Sequence, residues 1–369
     1  MRSVDVAVIG GGPAGAATAC GLAAMGRAVM LLERSSGPHH KVCGEFLSAE
    51  TCAYLADLGI DARALGAVPI ETLAVWGDAG GRRAIPLPFP ALSLSRFRLD
   101  EALLARAAER GAEVRRGVGV RAIERSGGGW RLRCDGGGAV DCRVLVMATG
   151  KHAIRGADDA RDRSMVGLKM HLKPSPDVAR ALAGRVELVL LAGGYAGLEL
   201  VENGIANLCL LLPRGTVARL DPGWPSLSAL LTSESPPLAE RLAGASPLWE
   251  KPLAVVCPSG GHVRPSAADG IFRVGDRLAH TPPFTGDGLA IALGSAALAV
   301  EHIMSGRSAA AYARAARRMI EPPVRRARAV SWLIGSDAGA AVLSAVALLA
   351  PGLVRSVARG TRIASPVPR

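Results

Sequence analysis

At 369 residues the chain exceeds the size of one simple core, so we expect two domains that are either sequential or interleaved. Hydrophobic residues make up 49% of the chain and charged residues 21%, a balance that excludes a disordered protein. The net charge is +12, but only 4% of the residues are aromatic and no nucleic-acid-binding motif is visible, which argues against a nucleic-acid partner.

The seven cysteines indicate neither a disulfide framework nor a metal site, because they form no CxxC pair, have no histidine at metal-ligand spacing and are odd in number. The N-terminal apolar run is broken by Asp5 and by glycines, which argues against a secretory leader. The most apolar stretch, residues 338–354, is interrupted by Pro351 and does not predict a transmembrane helix. We therefore expect a cytoplasmic protein without a metal, and peripheral contact with a membrane stays open.

Residues 3–33 predict a βαβ unit. Residues 3–9 form a β-branched run typical of a buried parallel strand, residues 14–25 a helix of small residues, and residues 28–33 a second buried strand. The connecting turn and the first helical residues read Gly10-Gly11-Gly12-Pro13-Ala14-Gly15.

This glycine-rich motif predicts a dinucleotide site. Gly10 permits a tight turn, Gly12 lets the backbone approach a pyrophosphate, and Gly15 allows close packing of helix on strand. Glu33 ends the second strand, where an acid would hold a ribose hydroxyl. The motif by itself does not distinguish NAD from FAD.

Between residues 70 and 250 the pattern predicts two sheets. Strands over 70–76 and 84–87 precede a helix over 99–110, and strands from 114 to 147 separated by glycine turns predict a β-meander that ends at Ala148-Thr149-Gly150. Residues 164–212 predict a second, mainly antiparallel sheet. Residues 213–250 are rich in Pro and Ser and predict a side wall or lid of short helical pieces.

A second motif reads Gly275-Asp276, then Pro282-Pro283 and Gly286-Asp287-Gly288. A strand that ends in Gly-Asp can place the Asp276 carboxylate on a ribityl chain. The helix that starts at Gly288 and Leu289 can aim its dipole at the pyrimidine end of an isoalloxazine ring. Only an extended cofactor needs both ends of the chain in one site, so we interpret the cofactor as FAD.

These motifs, with Glu33-Arg34 and the segment SRFRLD at 95–100, resemble those of the glutathione-reductase-type flavoproteins of the p-hydroxybenzoate-hydroxylase group. Within that group, residues 41–48 (KVCGEFLS) and 193–210 look most like the geranylgeranyl reductase branch. The segment 195–200 (YAGLEL) departs from that branch, which carries Tyr-x-Trp-x-Phe-Pro, and the departure alters the expected pocket wall.

The resemblance implies that FAD is reduced by NAD(P)H, which binds transiently and without a second dinucleotide fingerprint. It places Arg96 near the flavin and the Val120 backbone near the adenine. The other cofactor-binding positions that it implies beyond the two motifs are Arg34, Cys43, Gly44 and Gly150.

Cys43 is the candidate catalytic residue. His39, His40 and Lys41 precede it, and nearby cations favour a thiolate. By resemblance its loop lies beside the flavin, where a thiol could protonate a substrate carbon. The alternative is that Cys43 is a small packing residue where the backbone passes the ring. Glu45 is either a surface acid or a partner of the site.

Three further polar residues are weaker candidates. Lys169 and His171 alternate with apolar residues on a predicted strand and face either the cavity or, as is commoner, the solvent. His280, a better candidate than His262, is by default a loop histidine. The Arg-rich C-terminal helices are expected to pack on the substrate domain, and they could instead cap a lipophilic tunnel or lie on a membrane.

We therefore predict an α/β fold in which a Rossmann-type FAD-binding domain (1–68, 94–160 and 264–310) is interleaved with a mainly antiparallel substrate domain (69–93 and 161–263), followed by C-terminal helices (311–369). The expected function is NAD(P)H- and FAD-dependent reduction of a carbon–carbon double bond in a lipophilic, isoprenoid or polyketide-like substrate. One alternative is a class A monooxygenase that acts through a C4a-hydroperoxyflavin. Another is a non-catalytic flavin- or lipid-binding protein at a membrane surface. The oligomeric state is left open.

Overall fold

A computed structural model describes residues 2–76, 82–151, 164–258, 261–264, 269–334, 342, 345–346 and 349–363. The strands are β1 (Arg2–Ile9), β2 (Val29–Glu33), β3 (Phe46–Leu47), β4 (Val68–Trp76), β5 (Arg82–Ser93), β6 (Glu113–Arg116), β7 (Val120–Ser126), β8 (Gly129–Cys134), β9 (Ala139–Met147), β10 (Met165–Lys173), β11 (Arg185–Leu191), β12 (Gly194–Leu200), β13 (Ala206–Pro213), β14 (Ser246–Pro247), β15 (Leu253–Cys257), β16 (His262–Val263), β17 (Phe272–Arg273) and β18 (Ala279–His280). The helices are α1 (Pro13–Ala24), α2 (Ala49–Asp57), α3 (Arg96–Glu109), α4 (Pro176–Leu182), α5 (Arg214–Val217), α6 (Trp224–Glu234), α7 (Pro236–Leu242), α8 (Gly288–Met304), α9 (Ala309–Ile334) and α10 (Pro351–Gly360).

The first sheet contains the predicted βαβ unit. Its strand order is β6-β2-β1-β9-β8-β7, and β17 also pairs with β9. Strands β6, β2, β1, β9 and β17 are parallel, whereas β7, β8 and β9 form an antiparallel meander. Helices α1, α3 and α8 bury one face of the sheet, where Leu22, Leu103 and Ile291 share a core with Val6 and Leu31. The carboxyl ends of the parallel strands therefore open toward one edge, which is where such folds bind ligands.

Two predicted elements are longer than expected. Helix α3 begins at Arg96 and not at residue 99, because the Ser95 hydroxyl accepts a hydrogen bond from the Arg98 N–H at 3.2 Å and caps the helix. Strand β5 covers residues 82–93 in spite of three prolines, because it pairs with β4 on one side and only its last two residues pair with β3 on the other. Prolines are tolerated on such an open strand edge.

The second sheet is mainly antiparallel, with the strand order β14-β10-β13-β12-β11-β4-β5-β3, and β15 also pairs with β10. Side chains alternate between its two faces. Leu168 and Met170 on β10 point to a core that they share with Leu227 of α6 and Leu238 of α7. The alternate residues point the other way, toward the first sheet. One face of this sheet is therefore free to form the wall of a cavity.

The C-terminal helices close the same region from outside. Helix α9 packs against α8 and β16, and α10 packs against β5 of the second sheet. The Arg326 side chain donates a hydrogen bond to the Gly360 carbonyl at 2.8 Å and joins the two helices. Within the ranges given above, none of the helices combines the length and the apolar character needed to cross a bilayer. Most of the apolar stretch 338–354 lies outside the described residues.

Candidate functional site

A cavity of about 1070 Å³ lies where the two sheets, the first turns of α1 and α8 and the C-terminal helices meet. Fifteen of the sixteen cofactor-binding positions inferred from the sequence line it: Gly10, Gly12, Pro13, Ala14, Glu33, Arg34, Cys43, Gly44, Arg96, Val120, Gly150, Asp276, Gly286, Gly288 and Leu289. The sixteenth, Gly15, lies outside the lining. The fold thus brings together residues from both ends of the chain.

The glycine motif forms a cradle at the start of α1. Gly10 has φ +104°, and a Cβ there would lie 2.5 Å from the Ala148 carbonyl oxygen, so only glycine fits the turn. A Cβ on Gly15 would lie 1.9 Å from the Gly10 carbonyl oxygen, so Gly15 is needed for packing and not for lining. Gly12 borders open space, because the nearest atom to a Cβ there is 3.8 Å away. Its backbone can therefore approach a pyrophosphate at the N-terminus of the helix.

Glu33 is fixed beside this cradle. Its Oε2 accepts a hydrogen bond from the Gly11 N–H at 2.6 Å, and its Oε1 accepts one from the Ser35 N–H at 2.9 Å. Burial by itself would raise the pKa of Glu33, but these two backbone donors hold it below its usual value. The ionised carboxylate lines the cavity at the end of β2, where a ribose hydroxyl can donate to it.

Arg96 is a cation held over the pyrophosphate turn. It makes a two-pronged ion pair with Asp100, with Nε–Oδ1 at 2.7 Å and Nη2–Oδ2 at 2.9 Å, and Lys41 Nζ lies 2.9 Å from the same Oδ2. The Arg96 Nη2 is 3.8 Å from the position of a Cβ on Gly12, and the guanidinium also contacts Cys43. The buried Asp100 therefore fixes a positive charge where a pyrophosphate needs one.

The other end of the cradle is formed by the second motif. Asp276 follows β17, and Gly286 and Gly288 flank the start of α8. No side chain caps this helix, and a Cβ on Gly288 would meet nothing within 4 Å. Its N–H groups and positive dipole therefore face open cavity. A dinucleotide cradle, a ribose-binding carboxylate and a second helix N-terminus together fit the extended shape of FAD.

Cys43 lies at the junction of the cradle and the rest of the cavity. Its thiol is half-buried, and its Sγ accepts a hydrogen bond from the Glu45 N–H at 3.3 Å. The Cys43 carbonyl accepts a hydrogen bond from the Asn207 side chain at 3.3 Å. The loop is thus fastened to the second sheet, and a catalytic role for the thiol stays a prediction.

A buried ionic cluster adjoins this loop. Glu45, with φ +57°, pairs through Oε1 with Lys169 and through Oε2 with His171 Nε2 at 2.8 Å, and its Oε1 also accepts the Arg96 N–H at 2.7 Å. Lys169 is 0% and His171 3% exposed, so the expectation that strand residues of this kind usually face solvent is wrong here. Both β10 residues pack against the loop that carries Glu45, and His171 also contacts His40 and Trp249. Glu45 is likewise buried and is not a surface acid.

The electrostatics of the cluster keep Glu45 ionised. Burial by itself would raise its pKa, but the His171 hydrogen bond and the Lys169 ammonium lower it. His40 stacks on Phe97 and meets His171 edge-on, with ring centroids 4.9 and 4.8 Å apart. Burial, with the nearby His171 and Lys169, lowers the pKa of His40 to about 4. The side chains of His40, Glu45 and His171 are close enough together to bind a metal ion. The Glu45 carboxylate, however, already forms an ion pair with the Lys169 ammonium.

The sequence reasoning missed two polar residues of the same sheet face. Glu199 on β12 and Asn207 on β13 are paired in register, and Asn207 is paired with His171 in turn. The Asn207 amide donates to Glu199 Oε1 at 2.7 Å, and Glu199 is 2% exposed. A glutamate between two leucines on an otherwise apolar strand was the signal that could have indicated a buried acid.

Beyond these groups the cavity lining is largely aliphatic and aromatic, with further polar residues such as Lys151, Thr281 and Arg362. Tyr195 packs edge-on against Phe284, with ring centroids 6.3 Å apart, and Gly197 leaves space between Tyr195 and Glu199. His280 also lines the cavity, whereas His262 borders a separate small pocket. The aliphatic lining comes from the second sheet and from α9 and α10: Leu73, Val75, Leu188, Leu190, Val255, Val330, Leu353, Val354 and Val357.

A mixed α/β fold with a dinucleotide cradle and an adjoining apolar chamber defines a flavin-dependent oxidoreductase. Residues 3–163 match the family described as FAD binding domain. The chain is 28% identical over 328 residues to the menaquinone reductase of Mycolicibacterium smegmatis, covering 82% of this chain and 76% of that protein. It is 30% identical over 322 residues to digeranylgeranylglycerophospholipid reductase 1 of Methanopyrus kandleri, covering 78% of this chain and 77% of that protein.

The fold is also that of solved flavoenzymes. The structure of a flavin-dependent brominase superposes with a TM-score of 0.80 at 19% identity and covers 98% of this chain and 93% of that one. The chain belongs to the family of flavin-dependent oxidoreductases that carry this FAD-binding domain. It is an enzyme, and its cofactor is FAD.

Proposed function

We propose that this enzyme uses NAD(P)H to reduce its FAD and then reduces a carbon–carbon double bond of a lipophilic, isoprenoid-type substrate. The observation that carries the proposal is that the FAD cradle and the apolar chamber are one continuous cavity. A hydrocarbon chain in that chamber would place its double bond next to the cofactor. Among the relatives that align over more than three quarters of the chain are a menaquinone reductase and a digeranylgeranylglycerophospholipid reductase, and their names point to lipids with such chains.

FAD held in this cradle would, once reduced, supply a hydride to the substrate. The protein positions the cofactor through the cradle, Glu33 and Arg96, and the aliphatic wall of the chamber excludes water from the reacting carbons. Of the Glu45–Lys169–His171 cluster only Glu45 lines the cavity, and its carboxylate is paired with the other two residues, so it does not compete for the hydrocarbon. Gly197 and Glu199 make this end wider and more polar than an aromatic wall would be.

The test is a product analysis. The purified protein is reduced by NAD(P)H without oxygen and incubated with menaquinone or with a digeranylgeranyl glycerophospholipid in detergent. Mass spectrometry then shows whether the lipid has gained two hydrogen atoms at its chain, as expected. With air admitted, a lipid that instead gains one oxygen atom would establish the monooxygenase alternative. The non-catalytic alternative does not hold, because the chain matches the FAD-binding domain and is similar to reductases and to a monooxygenase.

The site of action that we propose is an anionic membrane surface. Leu353 is 54% exposed and also lines the cavity, so α10 forms part of the rim of the chamber, and Leu349 just before it is 85% exposed. Residues 322–369 contain seven arginines and one aspartate. An exposed apolar helix face bordered by arginines matches the surface of an anionic bilayer, from which a lipid chain can enter the rim.

A further inference from the structure

We propose that Glu199 is the acid that gives a proton to the substrate carbon next to the one that receives the hydride. The inference rests on the proposed reduction of a double bond. The Glu199 carboxyl would then carry out the protonation of the substrate carbon that the sequence suggested for the Cys43 thiol. The position of Glu199 is where this chain replaces an aromatic side chain of the geranylgeranyl reductase pattern, so the role belongs to this chain's own residues.

The geometry places the carboxyl where the reaction would occur. Glu199 lines the cavity from β12, and Asn207 holds its Oε1 at 2.7 Å. The same Asn207 amide donates to the Cys43 carbonyl at 3.3 Å. The carboxyl is therefore fixed to the loop that borders the FAD cradle, at the junction of cradle and apolar chamber. Gly197, two residues earlier on the same face of β12, lines the same cavity.

The surroundings keep this carboxyl neutral. The groups that face it are Glu45 on the loop before β3, Lys169 and His171 on β10, and Cys209 on β13. Burial raises the pKa of Glu199 most, the Asn207 hydrogen bond lowers it, and the charge of Glu45 raises it further, to about 8. Lys169 lowers it only in part, because its ammonium is ion-paired with Glu45.

The two buried carboxyls thus have opposite protonation states. Glu45 is kept ionised by the His171 hydrogen bond and the Lys169 ammonium, and its negative charge in turn holds the proton on Glu199. Pairs of carboxyl groups whose pKa values are driven apart by their environment are typical of acid–base sites. A proton donor with a pKa near the working pH is also the most efficient one.

The hydride from the reduced cofactor forms one C–H bond with its electron pair, while the other carbon of the double bond takes the Glu199 proton, so that a second C–H bond forms as the carboxyl O–H bond breaks. The product is the saturated chain, the cofactor is oxidised, and Glu199 is left as a carboxylate. Water admitted when the product leaves returns the proton before the next turnover.

The test compares Glu199→Gln with wild type, with Glu199→Asp as the variant that retains an acid. Each holoenzyme is reduced anaerobically and mixed with menaquinone or the digeranylgeranyl lipid, and single-turnover lipid reduction is followed from pH 5 to 10. We expect a wild-type rate that falls above about pH 8 and a Gln variant that is slower by about 100-fold or more with no such inflection. Glu199→Asp should recover part of the rate together with a shifted inflection.

A second readout needs no turnover. The infrared carbonyl band of a protonated carboxyl should be stronger in the wild-type protein than in Glu199→Gln at pH 7, because Asp287, with a pKa of about 7, contributes to both, and the difference should vanish as the pH passes about 8. Glu71→Gln, which changes an exposed glutamate of the same sheet, serves as the control and should keep both the band and the pH profile.

The outcomes are distinguishable. If the wild-type enzyme saturates neither lipid, the proposed function and the role of Glu199 fall together. If it reduces a lipid but Glu199→Gln retains the rate and the pH profile, the role of Glu199 alone is overturned. Equal protonated-carboxyl bands in wild type and Glu199→Gln at pH 7 overturn it as well, whatever the kinetics. FAD affinity and the melting temperature of each variant show whether a lost rate reflects lost cofactor or lost fold.

Discussion

Arg362 Nη2 lies 3.0 Å from Asp287 Oδ2, with side chains that are 9% and 2% exposed, so the C-terminal segment is fastened to the loop that begins α8. Arg362 also donates to the Thr285 carbonyl and lies over the Phe89 ring at 4.9 Å. Asp287 belongs to the second cofactor motif. The segment that forms the rim of the chamber is thus joined to the cofactor site by one buried ion pair.

Replacing Arg362 by Ala should weaken both the fold and the cofactor site. The change leaves the buried Asp287 carboxylate without its cation. We expect the free energy of unfolding to fall by about 3 kcal/mol if the carboxylate stays charged, and by less if it takes up a proton. We expect a lower melting temperature and faster loss of FAD. The control is Arg359→Ala, an exposed arginine one turn earlier on α10. A double variant with Asp287→Asn should lose less than the sum of the single changes, and strict additivity would contradict the coupling.

The Glu199 carboxyl should make stability depend on pH. In the unfolded chain a glutamate ionises near pH 4.5, whereas the folded protein holds its proton up to about pH 8. The native state therefore binds more protons between these values, and its free energy of unfolding falls as pH rises, by up to about 1.4 kcal/mol per pH unit. Asp287, with a pKa raised to about 7, likewise makes the free energy of unfolding fall as the pH rises.

Comparison with Glu199→Gln isolates this contribution. The variant has no proton to lose, so its melting temperature relative to wild type should rise from pH 5 to pH 8 and then stay level. Chemical denaturation at fixed pH values checks the same difference as a free energy. A constant difference across this range would mean that Glu199 is ionised in the folded protein.

Glycine substitutions should separate cofactor binding from folding. At Gly12 the nearest atom to a Cβ is 3.8 Å away, so Gly12→Ala should fold, but its methyl group enters the space of the pyrophosphate and should weaken FAD binding by about tenfold or more. Gly37→Ala also has free space and lies outside the cavity lining, so it should bind FAD normally. Gly15→Ala should lose the fold, because its Cβ would lie 1.9 Å from a carbonyl oxygen. Titration of the apoprotein with FAD measures all three.

Cys43→Ala tests the residue that the sequence placed first. If Glu199 is the proton donor, the alanine variant should still bind FAD and should keep the pH inflection near 8 in single-turnover reduction. Asn207 contacts the Cys43 carbonyl and not its thiol, so the link between the loop and Glu199 survives the change. If the inflection disappears in Cys43→Ala, the Cys43 thiol and not Glu199 is the proton donor.

The exposed apolar residues around α10 should bind membranes. We expect Leu349→Glu and Leu353→Glu to reduce co-sedimentation with anionic vesicles by about tenfold, since each removes a large apolar side chain and adds a charge of the wrong sign. Leu248→Glu, at a residue that is 48% exposed but lies in the segment between β14 and β15, is the matched control and should bind like wild type. Neutral vesicles should bind the wild-type protein less well. Equal losses in all three variants would indicate a non-specific effect.

Local sequence determined the cofactor half of this protein. The glycines, Glu33 and the Gly-Asp motif act through backbone geometry and helix ends, and such features are set by residues that are neighbours in the chain. The β-meander and the antiparallel second sheet were predicted for the same reason, since turn glycines and alternating apolar residues are local signals. The ends of α3 and β5 were wrong because a cap and an open sheet edge extended them.

Only the tertiary structure decided the polar end of the chamber. Glu45, Lys169, His171 and Glu199 come from separate strands and a loop, and their burial depends on which sheet covers them. The alternation of residues on β10 predicted that Lys169 and His171 share a face, but not that this face is dry. Burial and the charge of a distant neighbour set the protonation of Glu199, and neither is encoded within one segment of chain. The sequence by itself therefore determined which cofactor is bound, whereas the packing of the two sheets decided which side chain can donate a proton.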